Sequence, residues 1–459
     1  MEKINTFFSD LSSVLWGWPM IILLLGTHLF LTIRLKFPQR YIFKAIRLSV
    51  SKDKDATGDV SQFGALTTAL AATIGTGNIV GVGTAIALGG PGAVFWCWLT
   101  GVFGIATKYS EGLLAIKYRV KAEDGRMLGG PMYALEHGLA ENAKGMKRHI
   151  WKALAIAFAL FTAIAAFGIG STVQANAITT ICSETYSLNP ALIGGITTIL
   201  AATVVIGGIR SIAKVCQMLV PFMAILYILG CIVILFMNGE YVMPAISLIV
   251  RSAFNPTAAG GGLVGASIML VTRYGIARGL FSNESGLGSA PLVAAAAQTK
   301  NPVRQALVSS TGTFWDTVVI CALTGVVLVS SILAFPDIDT DNGGILTKMA
   351  FSQIPYVGQP ILVFGSLTFA FSTILGWCYY GERGMEYLTH SRKWFLAYRI
   401  VFLATIFLGS LISLNIVWNI ADCLNALMAI PNLLSLLFLS GVIVRETKTY
   451  LWDKNLDKE

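Results

Sequence analysis

The sequence predicts an all-α polytopic membrane protein with about eleven transmembrane helices. Of its 459 residues, 55% are hydrophobic and only 12% are charged, whereas soluble domains carry about 25% charged residues. The mean hydropathy is +0.70, and the apolar residues group into runs long enough to cross a bilayer as helices. Porin-like β-barrels are excluded, because their membrane-spanning strands are much shorter and alternate in polarity.

The loops between the apolar runs set the orientation. The net charge is +9, but Lys and Arg are concentrated in every second loop, which indicates the positive-inside rule and not nucleic-acid binding. Arg251 is the exception. We therefore expect a multi-pass protein of the cell membrane, with its N-terminus outside and its C-terminus in the cytoplasm. The basic loops are residues 34–54, 117–148, 210–214, 300–304 and 382–393, and the basic tail begins at residue 445.

The spans suggest an internal repeat. The first span stands alone, and the next ten divide into five and five. Five spans per half give the halves opposite topology. The predicted spans are residues 14–33, 63–88, 93–115, 154–181, 191–209, 215–237, 258 onward, 305–332, 356–380, 398–414 and 416–444. This divides the chain into an extra helix with a basic loop (1–57), a first five-helix repeat (58–240), a second, inverted five-helix repeat (241–444) and a cytoplasmic tail (445–459).

Two spans contain helix-weakening residues in the middle. One is interrupted at Gly75 and Gly77, and we expect the other to break between Thr272 and Gly279. A break in a lipid-buried helix is tolerated only where the freed backbone groups face a cavity, an ion or a polar ligand. Interrupted segments in corresponding positions of two halves are typical of a transporter binding site. The alternative is a helix-packing face of small residues.

Three stretches resemble a known family. They are residues 71–78 (AATIGTGN), 89–98 (GGPGAVFWCW) and 278–291 (RGLFSNESGLGSAP). The sequence is similar, across essentially the whole chain, to the sodium/alanine (alanine/glycine:cation) symporters of the amino acid-polyamine-organocation superfamily. The resemblance implies the leucine-transporter fold with an extra N-terminal helix. It also implies sodium-coupled symport of alanine and glycine into the cell by alternating access.

The resemblance also implies a sodium site. Its ligands would be the carbonyls of Ala71, Ile74 and Phe369 with the hydroxyls of Ser372 and Thr373. Hydroxyls within a membrane helix often bond back to their own helix, which is the alternative for these two residues. A second sodium could take the Thr73 carbonyl and Asn78 as ligands.

The substrate site is expected at the same depth. The N–H groups of Thr76 and Gly77 open a half-helix, and such groups bind carboxylates. Free carbonyls near Thr73, Gly75 and Gly275 to Ala277 would accept from the substrate ammonium. Gln174 would lie at the rim of the pocket, with an interhelical hydrogen bond as the alternative. Phe167 and Trp377 would cap a small cavity, with plain packing as the alternative for both.

Ionisable residues inside spans are functional candidates by default. We interpret Glu284 with Arg273 or Arg278 as a gate or a structural pair on the cytoplasmic side. Asp316 could be a coupling group or a residue capped by its neighbours, and the sequence does not decide between these roles.

Other functions fit less well. The four histidines are dispersed, and no zinc-protease, cysteine-cluster or nucleotide-binding motif occurs. The sequence therefore predicts a protein that is not an enzyme, that needs no cofactor besides sodium as coupling ion, and that binds no nucleic acid. A channel is disfavoured, and a proton-coupled amino-acid carrier of the same fold is the remaining alternative. The sequence gives no oligomeric state.

Overall fold

The computed structural model describes residues 2–51, 53, 56–255, 268–340, 342–391, 393–412 and 415–457, and most of them are helical. The α-helices are α1 (Glu2–Leu15), α2 (Trp18–Arg34), α3 (Ile42–Ser49), α4 (Gln62–Thr73), α5 (Val82–Gly89), α6 (Gly92–Lys117), α7 (Pro131–Tyr133), α8 (Met146–Ala165), α9 (Val173–Tyr186), α10 (Pro190–Val205), α11 (Gly208–Met237), α12 (Gly239–Phe254), α13 (Ile268–Asn283), α14 (Pro291–Ala294), α15 (Pro302–Thr313), α16 (Ala322–Ala334), α17 (Gly343–Ser352), α18 (Gly358–Thr389), α19 (Lys393–Gly409), α20 (Asn415–Phe438) and α21 (Ser440–Thr447).

Short irregular elements join these helices. A two-stranded antiparallel sheet, β1 (Val120–Lys121) and β2 (Met127–Leu128), pairs Val120 with Leu128. A 3₁₀-helix covers Pro38–Tyr41. π-Helical turns cover Gly77–Gly81, Ala134–Ala140, Ala166–Thr172, Phe314–Cys321 and Lys448–Trp452.

Many of the helices are membrane-spanning by length and apolarity. Among the described residues, five continuous helical stretches pass this criterion, and two bent pairs of helices pass it together. The five are Met146–Tyr186, Gly208–Met237, Pro302–Ala334, Gly358–Thr389 and Val417–Phe438; the pairs are Lys3–Leu15 with Trp18–Arg34 and Gln62–Thr73 with Gly77–Gly89. The predicted all-α polytopic fold class is confirmed.

The first predicted break is where the sequence placed it, but the second is not. Helix α13 runs without interruption through Thr272 to Gly279, so that prediction is wrong. The chain breaks after α13, over residues 284–290, where Glu284, Gly286 and Gly288 have φ angles of 53°, 95° and 83°. These positive φ angles end the helix, because a right-handed α-helix needs a φ of about −63°, and glycine adopts positive φ without the steric cost of a side chain. The predicted start of this span, at residue 258, lies outside the described residues.

The glycines inside α13 serve packing. A Cβ at Gly275 would lie 2.7 Å from Cβ of Trp96, and one at Gly279 would lie 2.9 Å from the Cys97 carbonyl oxygen. Both contacts are with α6, so small residues let these two helices approach closely. The alternative of a packing face therefore holds for α13.

Two helices lie in stretches that the sequence assigned to loops. Helix α12 contains Pro244 in its second turn. Helix α17 packs on α5 so closely that a Cβ at Gly83 would overlap the backbone of Gly343. Both cover the side predicted to be external.

The break between α4 and α5 begins beside helix α18. Helix α18 packs along α4, α8, α9 and α11, and helix α6 packs along α13 and α15. The contact between α4 and α18 is close at Gly376, where a Cβ would lie 2.8 Å from Cβ of Ala72. Residues just after Ala72 are therefore held against the middle of α18.

The orientation yields a direct test. A protease site in a tag at the N-terminus should be cleaved by protease added to intact cells, whereas the same tag at the C-terminus should be protected. The Lys and Arg asymmetry of the loops is the physical reason. Cleavage would be measured by immunoblot, and a protected N-terminal tag would contradict the predicted topology.

Candidate functional site

The break between α4 and α5 releases a backbone carbonyl. Helix α4 ends at Thr73, the chain resumes at Gly77, and the axis turns by 52°. In a continuous helix the Gly75 N–H would donate to the Ala71 carbonyl. Here the Gly75 N–H donates instead to Asn78 Oδ1, at 2.9 Å. The Ala71 carbonyl is therefore free to face outward from the helix end.

Four buried oxygens converge where the Ala71 carbonyl meets α18. Ser372 Oγ lies 3.2 Å from the Ala71 oxygen and 2.9 Å from the Phe369 oxygen. Thr373 Oγ1 lies 3.1 Å and 3.0 Å from the same two oxygens. These are four of the five predicted sodium ligands, and all four residues are at most 2% exposed. The fifth, Ile74, is also buried and caps α4.

This arrangement suits a hard cation. The contacts with the Phe369 oxygen are the back-bonds within α18 that were named as the alternative for these hydroxyls, whereas the contacts with the Ala71 oxygen join α4 to α18. Each hydroxyl has one proton and can donate to only one of the two carbonyls at a time. Neutral carbonyl and hydroxyl oxygens are the ligands that hard cations prefer, and thiolates or imidazoles are absent from this set. Gly75 adjoins the cluster, because a Cβ there would lie 2.8 Å from Thr373 Oγ1.

Asn78 and Asp316 form a second polar centre beside the break. Asn78 Nδ2 donates to Asp316 Oδ1 at 2.8 Å. Ser282 Oγ and Thr317 Oγ1 donate to Asp316 Oδ2 at 2.9 and 2.6 Å. Asp316 thus links the turn before α5, the end of α13 and the π-helical turn before α16. The structure shows Asn78 as the residue that holds the break in shape, and its role as a second sodium ligand stays a prediction.

Three predicted substrate residues keep buried polar atoms without a partner. Among the described residues, Thr76 Oγ1, Gln174 Oε1 and Trp377 Nε1 have no hydrogen bond. The other end of the Gln174 amide donates to the Ile169 carbonyl at 3.1 Å. A Cβ at Gly170 would overlap Trp377, and Gln174 lies one turn after Gly170. Because buried polar atoms are nearly always paired, these atoms indicate a polar ligand or water.

The half-helix that begins at Gly77 provides the expected N–H groups. Thr76 is its N-cap, and the first N–H groups of a helix have no partner within that helix. Gly77 packs against α13, since a Cβ there would lie 3.1 Å from the Phe281 ring. Phe281, whose ring lies 5.6 Å from Trp418, is a neighbour of this site that the sequence reading did not identify.

Glu111 holds the second break and was also not assigned a role from the sequence. Its Oε1 accepts hydrogen bonds from the N–H groups of Gly286 and Gly288, at 3.0 and 3.1 Å, and from Asn432 Nδ2 at 2.7 Å. A buried carboxylate in an apolar span was the available signal. It fixes the turn over residues 284–290 by binding the N–H groups that the break exposes.

Comparison with known proteins identifies the family. The whole chain, residues 1–459, matches the sodium:alanine symporter family. The chain belongs to the sodium:alanine symporter family. The sodium/alanine symporter AgcS of Methanococcus maripaludis is 51% identical over 446 residues, covering 96% of both chains. The probable sodium/glutamine symporter GlnT of Bacillus subtilis is 35% identical over 471 residues, covering 100% of this chain and 92% of GlnT.

Solved structures agree on the fold of this sodium:alanine symporter family member. The structure of MhsT in complex with L-phenylalanine matches with a TM-score of 0.59 at 13% identity, covering 84% of this chain and 90% of MhsT. A Na⁺-coupled sialic acid symporter matches with a TM-score of 0.52 at 12% identity, covering 93% of this chain and 84% of the symporter. The expected leucine-transporter fold is confirmed, and family membership makes the protein a transporter and not an enzyme.

Two of the predicted substrate contacts of this family member are contradicted by the geometry, and a third residue shows the packing that was named as its alternative. Gly275 and Ala277 lie within the continuous helix α13, so their carbonyls are not freed by a break there, and that expectation is wrong. The Phe167 ring packs against Tyr398, with ring centroids 4.8 Å apart, and against Phe402. Packing, the alternative named from the sequence, is what the structure shows for Phe167. The Thr73 hydroxyl bonds back to its own helix, 3.2 Å from the Ala69 oxygen, and the predicted contact through the Thr73 carbonyl stays a prediction.

The predicted gate pair does not form in the described part of the chain. Ser289 Oγ donates a short hydrogen bond to Glu284 Oε2, and Glu284 has no ion pair with Arg273 or Arg278 there. The reason is the position of the break: Glu284 belongs to the turn after α13, whereas both arginines lie earlier, inside the helix. Arg273 instead lies over the Tyr274 ring, 6.0 Å from its centroid. The gate assignment to these three residues is corrected accordingly.

Proposed function

We propose that this protein is a secondary active transporter that couples the inward movement of sodium to the uptake of alanine and glycine by alternating access. The observation that carries the proposal is the convergence of Ala71, Phe369, Ser372 and Thr373. Ala71 precedes the two hydroxyl residues by 301 and 302 positions, yet each hydroxyl oxygen lies 2.9–3.2 Å from both carbonyl oxygens. A set of neutral oxygens at a helix break has the chemistry of a sodium site.

Sodium and the substrate would be coupled because both bind at the same helix break. Sodium bound to the Ala71 carbonyl would hold α4 against α18 and keep the helix open at Gly75. The same opening leaves the N–H groups of Thr76 and Gly77 for the substrate carboxylate, at the positive end of a helix dipole. Each ligand therefore stabilises the conformation that the other binds, which is a coupling free energy between two sites.

The buried side chain of Trp377 would restrict the binding site to small substrates. Trp377 is 1% exposed and packs on the π-helical turn at Gly170, so it would limit the space beside Gln174. The relative of 51% identity is named for alanine, whereas the relative of 35% identity is named for glutamine. Glycine lacks one methyl group, which changes binding by about 1–3 kcal/mol, so we expect it to be transported with lower affinity.

The experiment that tests this function is uptake into proteoliposomes. Labelled alanine should accumulate when sodium is high outside and absent inside, and an equal gradient of potassium should give only equilibration. A proton uncoupler should leave the sodium-driven uptake unchanged. Uptake driven by a pH gradient in sodium-free buffer would favour the proton-coupled alternative and contradict the proposal.

A further inference from the structure

Lys108 is a buried cation that the proposed mechanism does not use. It lies inside the membrane-spanning helix α6 and is 3% exposed. Its Nζ has no hydrogen-bond partner among the described residues. Glu111 Oε2 lies 4.0 Å from Nζ, a distance that allows an ion pair but no hydrogen bond, and it also has no hydrogen bond among the described residues. The other oxygen of Glu111 accepts from the N–H groups of Gly286 and Gly288. A membrane-buried ammonium in this position marks a functional site.

Lys108 lines a narrow cavity that leads away from the substrate break. The cavity runs along one face of α4 from Thr73 to Ala65 and is closed on its other side by Gln305 and Ser309 of α15. Eight residues of helix correspond to about 12 Å. The cavity has room for roughly one water molecule. Gln305 is 1% exposed, and its Oε1 also has no hydrogen-bond partner among the described residues.

The far end of this cavity is tied shut. Asp53 accepts from Gln62 at the start of α4, at 2.9 Å, and forms an ion pair with Arg304, with Nη2 and Oδ1 2.7 Å apart. Val60 pairs with Ala297 in a parallel β-bridge. These contacts join the start of α4 to the segment after the second break, on the side predicted to be cytoplasmic. The structure is therefore closed on that side.

We propose that Lys108, Gln305 and Ser309 form a second, transient site that receives the carboxylate of the substrate on its way to the cytoplasm. This inference rests on the proposed function. The Lys108 ammonium and the Ser309 hydroxyl can donate to a carboxylate. Gln305 donates through Nε2 to Ser309 Oγ, at 3.3 Å, and keeps Oε1 as an acceptor for an ammonium group. All three residues line the cavity that continues from Thr73. Separation of α4 from α15, after release of the Asp53 contacts, would widen the cavity enough to admit an amino acid.

A purely structural lysine would have a different environment. A buried charge is strongly destabilising unless it is paired and hydrogen-bonded, and Lys108 has neither a close ion pair nor a hydrogen bond among the described residues. The carboxylate of Glu111, 4.0 Å away, already accepts three hydrogen bonds through its other oxygen. The unpaired donor at Lys108 and the unpaired acceptor at Gln305 match the carboxylate and ammonium ends of an amino acid.

The test compares the two faces of the membrane. Sodium-dependent alanine flux is measured in right-side-out and inside-out vesicles carrying the full chain. Lys108→Met should raise the half-saturating alanine concentration at the cytoplasmic face by about tenfold or more, the contribution of one charge-assisted hydrogen bond. The value at the external face should stay within about twofold. Lys117→Met, the same substitution on the same helix but in a residue paired with Glu446 at 2.8 Å, is the matched control.

A second variant keeps the test decisive if Lys108→Met does not fold. Gln305→Glu places a tethered carboxylate in the cavity, where it would occupy the Lys108 ammonium and weaken the cytoplasmic face in the same way. Unchanged half-saturation at that face in a folded variant, or an equal rise at both faces, would overturn the second site. Failure of the proposed function would appear separately, as an absence of sodium-dependent alanine flux in the unmodified protein.

Discussion

Thr373→Ala is expected to raise the sodium concentration that half-saturates alanine uptake by about 30-fold or more, while the protein still folds and inserts. The Thr373 hydroxyl lies 3.1 Å from the Ala71 oxygen and 3.0 Å from the Phe369 oxygen, at the centre of the candidate cation cluster. Removing one partner of a buried charge costs about 2–5 kcal/mol, and the lower value corresponds to about 30-fold in affinity. The measurement is alanine uptake into proteoliposomes over a series of sodium concentrations.

Two variants separate loss of a ligand from loss of packing. Thr373→Ser keeps the hydroxyl and removes only a methyl group, so its sodium dependence should stay close to that of the unmodified protein. Thr368→Ala also removes a hydroxyl from α18. This hydroxyl lies 2.8 and 2.9 Å from the Phe364 and Gly365 oxygens of its own helix, whereas the Thr373 hydroxyl also contacts Ala71 of α4. If Thr373→Ala has the same half-saturating sodium concentration as Thr368→Ala, the Thr373 hydroxyl does not bind sodium.

The sequence contained most of the information for the first break. Gly75, Gly77 and Asn78 stand together in an otherwise apolar span, and two glycines beside an amide at that depth favour a break over the packing face that was the alternative. The hydroxyl pair at Ser372 and Thr373 was identified through resemblance to a family. The structure adds what neither source supplied, which is that the Asn78 side chain replaces the Ala71 carbonyl as the partner of the Gly75 N–H.

The second break shows why spacing alone was not enough. Gly275 and Gly279 recur at the interval of one helical turn, a pattern that small residues also show where two helices pack closely. Gly286 and Gly288 lie only a few residues later, and they adopt the left-handed angles that end the helix. Which pair packs and which pair breaks depends on whether α6 passes alongside, and that contact is between distant parts of the chain.

Lys108 was missed for a similar reason. It lies on a span with Glu111 and Lys117, where a lysine near the end of a helix would normally extend to the membrane surface. The structure instead places its ammonium against a cavity bounded by α4 and α15. That position follows from how three helices pack, and no local pattern in α6 indicates it.

Gly75→Ala is expected to abolish sodium-driven alanine uptake without preventing insertion. A Cβ at this position would lie 2.8 Å from Thr373 Oγ1, closer than carbon and oxygen atoms can approach without a shift. The methyl group would therefore push a candidate sodium ligand out of place. Alanine also favours helix over glycine by up to about 1 kcal/mol. A helix that continued through residue 75 would return its N–H to the Ala71 carbonyl and remove that carbonyl from the cation.

Gly81→Ala separates these effects from a general intolerance of alanine in the broken span. Gly81 lies in the same span, and a Cβ there would meet only the Thr76 oxygen, at 3.9 Å, so this variant gains the same helix propensity without reaching the cation cluster. Sodium and alanine should each raise the thermal stability of Gly81→Ala, because a ligand stabilises a protein that binds it. Neither should stabilise Gly75→Ala. Equal ligand-induced shifts in both variants would mean that the break at Gly75 lies outside the binding site, and that the small residues there serve only the contact between α4 and α18.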